Sequence, residues 1–184
     1  MVTEPSILTP MRIIVLLVAI GLAGCDRSRS GYTAGQFSDP KAAELLGETL
    51  PEFSLPSPGG DALVTSASLS GAPSLVVLWA TWCPSCLQEI PYLKRTWEAD
   101  SARGLRMVSL SVDDSPAAVP LVVQRSAMTW PVGISAGPWF GAMGLESIPQ
   151  VFLVGRDGKI VDSFTGELDT LVFRKALESL LSGG

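Results

Sequence analysis

The apolar residues of this chain fall into blocks of different length and period, and each block predicts an element. Residues 13–24 form an unbroken run of apolar and small residues behind Arg12. From Asp26 to about Leu46 Ser, Gly, Asp and Arg are frequent and no apolar period is sustained, which reads as a tether. Short extended pieces follow at 52–55 and 62–65, separated by the turn residues Pro58-Gly59-Gly60. Residues 74–79 are a compact apolar run with two valines, as expected of a buried central strand. Pro84 suits the first turn of a helix reaching about Ala99. Its inner face is expected to carry Cys86, Ile90, Leu93 and Trp97, with Gln88, Lys94, Arg95 and Glu98 outward and a kink at Pro91. A second buried strand spans 105–112, and a helix weakened by Pro120 spans 116–128. A third strand at 150–154 turns through Arg156-Asp157-Gly158-Lys159 into its partner at 160–164. The last block, 168–181, is an amphipathic helix with Leu168, Leu171, Val172, Leu177, Leu180 and Leu181 on or near one face. With only Arg174 and Lys175 as basic charges beside that face, docking on the core is expected rather than membrane contact. This order predicts an α/β fold: a central mixed sheet flanked by helices, with an N-terminal β extension.

Composition narrows the function. Nearly half of the 184 residues are apolar (47%), enough to bury a core. Thirteen basic against 18 acidic residues leave a net charge of −5, with no basic cluster among aromatics, which argues against nucleic acid as a partner. The chain has no histidine, and so lacks the commonest metal ligand and general base. The run 13–24 is shorter than the roughly 20 residues of a spanning helix but suits a signal-peptide core. Met11-Arg12 reads as the more natural start. The ending Leu22-Ala23-Gly24-Cys25 resembles the lipobox of bacterial lipoproteins. That resemblance implies that residues 1–24 are removed and Cys25 carries lipid, with residues 25–46 as tether and 47–184 as the domain. Asp26 resembles the signal that retains some lipoproteins in the inner membrane. With Cys25 lipidated, one pair of the three cysteines remains, Cys83 and Cys86. They stand too close together to constrain a long loop, so their spacing points to chemistry.

The pair lies in Trp79-Ala80-Thr81-Trp82-Cys83-Pro84-Ser85-Cys86, between a buried strand and a helix start. Unpaired N–H groups and the helix dipole favour an anion at Cys83. A thiol there can fall from about 8.5 into the range of about 3.5–7.5 and become the attacking thiolate. Cys86, one turn inward, is placed to resolve a mixed disulfide. Zinc would need four ligands and finds no second pair and no histidine, and covalent haem would need histidine where Leu87 stands. A purely structural disulfide is the remaining plain reading. Asp113-Asp114 is read as a solvated strand end able to bind a cation weakly, and Met128 and Met143 as core.

On these residues the sequence resembles the thioredoxin superfamily, and within it the TlpA/ResA-like membrane-tethered reductases, from about Gly47 to the end. Glu89-Ile90-Pro91 resembles the subgroup's E-x-P, Ser147-Ile148-Pro149 its cis-proline loop, 155–160 its hairpin, and 112–143 its central insert. The resemblance implies a thioredoxin-like fold with Cys83, Cys86 and Glu89 catalytic and Trp82, Pro84, Ile148 and Pro149 binding substrate. It implies no cofactor and no metal. Substrates would be disulfides of exported proteins, such as cytochrome c apoproteins, and electrons would come from a membrane donor of the DsbD/CcdA kind. A monomer is expected, facing the periplasm or cell exterior from its lipid anchor. Two departures stand out: Gln150 replaces the threonine common after the cis-proline, with an expected effect on substrate fit, and Val77 stands where thioredoxin buries an acid. Rival readings are an oxidase of the DsbA type and a non-enzymatic copper or haem-delivery module. The peroxiredoxin motif is not present around Cys83.

Overall fold

The computed structural model describes residues 39–183 and Met1. The expected export segment, Cys25 and the expected tether as far as residue 38 lie outside the described residues. In chain order the elements are α1 (Pro40–Glu44), β1 (Ser54–Pro56), β2 (Leu63–Thr65), β3 (Ser74–Trp79), α2 (Pro84–Asp100) and β4 (Arg106–Ser111). There follow α3 (Val119–Arg125), β5 (Val132–Gly133), α4 (Gly137–Ala142), β6 (Gln150–Val154), β7 (Ile160–Thr165) and α5 (Thr170–Ser182).

A mixed five-stranded sheet runs in the order β5-β4-β3-β6-β7. β3 is parallel to β4 and antiparallel to β6, and every residue of β3 and β6 is buried, as their continuous apolar sequence requires of central strands. Alternation along β3 then builds two layers. Leu75, Val77 and Trp79 pack with Cys83, Cys86, Ile90 and Leu93 of the α2 side and with Phe173 and Leu177 of α5. Val76 and Leu78 face the other layer, with Ala42, Phe53, Leu145, Phe152 and Ile160. The N-terminal extension is the antiparallel pair β1–β2. It closes over the sheet edge at Gly133, where a Cβ would stand 3.1 Å from Leu110 Cδ2 and 3.2 Å from Leu55 Cβ. Among the described residues no helix is long and apolar enough to cross a membrane.

Four local expectations change. The tether does not extend to residue 46: α1 buries Ala42, and Asp39 donates its N–H to Thr165 Oγ1 while its carboxylate accepts from Lys41 N and Glu146 N. The expected helix 116–128 is a 3₁₀ turn at Pro116–Ala118 followed by α3, ending before Ala127 at φ 48°; the insert also supplies β5 and α4. On α2, Thr96 and Asp100 are fully inside while Trp97 is half-buried. On α5, Leu171 is 82% exposed and Phe173 occupies the core. The helix begins at its cap, Asp169, so the inward stripe is Phe173, Ala176 and Leu177, and Leu168 before the cap packs in the same cluster as Phe173 in the N′–N4 staple pattern.

Candidate active site

β3 ends at Trp79, and the chain reverses through a turn closed by Cys83 N–H donating to Ala80 O at 3.2 Å. Trp82 stands on this turn, 66% exposed. Cys83 is the N-cap of α2 in extended conformation, and its Sγ accepts the Cys86 N–H at 3.2 Å, the place where an oxygen normally caps a helix. Pro84 follows in the first turn, its missing N–H costing nothing there. Cys83 and Cys86 form a disulfide with Cα atoms 5.3 Å apart, and Ser85 Oγ lies 3.5 Å from Cys83 Sγ. In this oxidised form both cysteines are buried, with exposed Trp82, Pro84 and Leu87 around them.

The Ile148–Pro149 peptide is cis. Because Gln150 pairs with Leu78 across the antiparallel β3–β6 ladder, this bond lies at the same end of the sheet as the cysteine turn. Pro149 is buried and Ile148 half-buried. Gln150 points inside, fully buried: its register places it with Phe152 on the layer away from the cysteines, and its Oε1 accepts from Thr165 Oγ1 at 2.5 Å. Its reach is therefore to the interior, through Thr165 to Asp39, rather than to a bound surface.

Glu89 lies one helical turn past Cys86, on the same side of α2, and is buried as well. Its Oε1 accepts the Leu168 N–H at 2.8 Å, while Oε2 has no hydrogen-bond partner. Burial pushes its carboxyl up from 4.5 to about 7; the Leu168 N–H opposes this and the nearby Glu167 adds to it. In the sequence Leu168 reads only as part of the last helix's apolar face and Glu167 carries no mark, since what this loop contributes to Glu89 is a backbone N–H.

Asp113 corrects the reading of Asp113-Asp114 as a solvated strand end. Asp114 is exposed, but Asp113 is 4% exposed and accepts from Thr81 N–H, Thr81 Oγ1 and Ser111 Oγ. Val77 is buried in the α2-side layer, so no acid stands at that strand position. Among the described residues no group of three or more His, Cys, Asp or Glu is placed to hold a metal. The site offers a dithiol at a helix cap, a carboxyl that titrates near neutrality behind it, and an aromatic and apolar rim.

The family model described as Redoxin matches residues 45–181. The thiol-disulfide oxidoreductase ResA of Bacillus anthracis is 28% identical over 157 residues, covering 85% of this chain and 87% of that one. The thiol:disulfide interchange protein DsbE of Pseudomonas aeruginosa is 32% identical over 153 residues, covering 79% and 82%. Among solved structures, a thiol:disulfide interchange protein of the thioredoxin family from Chlorobium tepidum superposes with a TM-score of 0.65 at 25% identity, over 73% of this chain and 96% of that one. The fold is thioredoxin-like, as the resemblance implied.

Proposed function

This chain belongs to the Redoxin family and is a thiol-disulfide oxidoreductase of the TlpA/ResA-like kind, and from that premise we propose that Cys83 and Cys86 reduce disulfides of exported proteins, cytochrome c apoproteins among them. The domain works on the outer side of a membrane, held there by lipid on Cys25, and is recharged by a membrane donor of the DsbD/CcdA kind. In the reduced form the Cys83 thiolate attacks one sulfur of the substrate disulfide and expels the other as a thiolate. Glu89 then takes the proton of Cys86, whose sulfur attacks Cys83 Sγ and expels the second substrate thiolate. Two electrons pass to the substrate, which gains two protons, and the Cys83–Cys86 disulfide is left for the donor to reduce by the same exchange.

The observation that carries the reducing direction is Glu89. A buried carboxyl with one oxygen unpartnered, a turn from Cys86, disfavours a further negative charge on the sulfurs; it destabilises the thiolate form relative to the disulfide and so makes the pair a stronger reductant. One observation favours the opposite direction: the Cys83 sulfur caps α2, and a helix N-terminus stabilises thiolate and with it an oxidase. The reduction potential separates them. A value near the about −270 mV of thioredoxin is expected, and one near the about −120 mV of DsbA would make the protein an oxidase. In cells, a Cys86→Ala variant should accumulate mixed disulfides through Cys83 with exported proteins bearing cysteine pairs. Capture of no such protein would sink the substrate assignment.

A further inference from the structure

Burying a carboxylate costs several kcal/mol unless its oxygens are fully used, so the use Asp113 makes of its oxygens is informative. They accept the Thr81 N–H at 3.2 and 3.0 Å, Thr81 Oγ1 at 2.5 Å and Ser111 Oγ at 2.6 Å. Ser111 is the last residue of β4, fully buried and paired with Trp79 of β3, so it fixes the carboxylate to the sheet. Thr81 is the second residue of the turn from Ala80 to Cys83. Most of these bonds therefore tie one turn, the one that carries the redox pair, to the end of the central sheet. Trp82 projects to solvent from the same turn, and Cys83 Sγ reaches the Cys86 N–H from its far end. An apolar residue at 113 would be cheaper to bury but could hold neither the N–H nor the hydroxyl of Thr81.

We propose that Asp113 is a positioning residue for thiol exchange: acting through Thr81, it holds the turn so that the Cys83 sulfur stays at the N-terminus of α2 when the disulfide opens. This rests on the thiol-exchange reading above. In the reduced protein nothing covalent keeps Cys83 at the cap, and a slack turn lets the sulfur leave the N–H groups that favour its thiolate.

The test is made on the full chain, reduced and freed of reductant. The alkylation rate of Cys83 near neutral pH and the thiol-disulfide equilibrium with glutathione are measured together. Asp113→Ala should slow alkylation by about tenfold, the change implied by losing a hydrogen bond of charged-group strength. Asp113→Asn, which keeps one acceptor for Thr81 N–H, should recover most of that loss. Thr81→Val removes only the hydroxyl bond and should fall between them, with the glutathione equilibrium moving in step. Should Asp113→Ala fail to fold, Asp113→Asn and Thr81→Val decide the matter. Wild-type alkylation rates and equilibria in those two variants, whatever their melting temperatures, would make Asp113 a structural residue only and overturn the proposal. A wild-type chain that exchanges no electrons with glutathione would count against the enzymatic reading instead, while the alkylation comparison would still decide on Asp113.

Discussion

Helix α2 buries a carboxylate towards each end, and the two are treated in opposite ways. At its C-terminal end Asp100 is fully buried where the helix dipole is already negative, an unfavourable place for an anion. Two arginines answer it: Arg103 Nη1 donates to Oδ1 at 2.7 Å, and Arg174 of α5 donates to both oxygens. Both arginines continue to Glu178, so the network docks α5 against α2. Near the N-terminal end Glu89 has one backbone N–H, no arginine among the partners described for it, and an idle oxygen. The first arrangement keeps a charge in place; the second leaves a proton free to move near pH 7. Complete partners hold the Asp100 charge in the fold, whereas the incomplete set at Glu89, one turn from Cys86, is the arrangement on which the proposed proton transfer rests.

Removing the partners of Asp100 should produce the largest effect on stability. With Arg103→Met and Arg174→Met combined, Asp100 is left buried and uncompensated, and urea unfolding should show a loss of about 3–5 kcal/mol. The alkylation rate of Cys83 should not change. A parallel change in redox behaviour would show that the two ends of the helix are coupled and end the contrast.

Glu89→Gln should act more weakly on stability and strongly on the reaction. The folded-state value of about 7 lies above the ordinary 4.5, so between these pH values the unfolded chain holds fewer protons than the folded one. Stability therefore declines as pH rises from about 4.5 to about 7 and levels off above, by roughly 2–3 kcal/mol at most. The glutamine variant should lack that decline in urea titrations across the range. It should also slow the release of mixed disulfides by Cys86. A stability profile and resolution kinetics matching the wild type would leave water as the proton acceptor and make Glu89 merely buried.

The smallest effect is expected on the wet side of the same helix. Lys94 and Glu98 stand 3.9 Å apart, with Glu98 more than half exposed. Glu98→Ala should change the urea midpoint by less than about 0.5 kcal/mol and leave redox kinetics untouched. A larger cost would mean that partner number, and not burial, separates the carboxylates of α2.

How much of this could be read beforehand follows the range of the interaction. The bounds of β3 and β6 and the start of α2 are legible because an apolar run, a proline and a cysteine spacing act within a few residues. Local period also located α5 but misjudged its face: Leu171 and Phe173 are both plausible inward residues on a helical wheel, and only docking against Tyr92 and Phe164 chose Phe173. Residues 39–46 lack any apolar period and read as tether, yet Asp39 is held by Thr165, 126 positions away. Asp113 looked like one of two solvated acids because its donors at Thr81 lie 32 positions back.

By itself the sequence determined the layered α/β plan, the redox pair at a helix start, and the acid one turn behind it, since all of these follow from spacing along the backbone. Only the tertiary structure decided which carboxylates are buried and what each one meets. Burial of a charge depends on donors delivered from elsewhere in the chain: Leu168 N–H to Glu89, Arg174 to Asp100, and Thr81 to Asp113. No local pattern specifies those partners, because a backbone N–H has no sequence signature and an arginine contributes only where packing brings it.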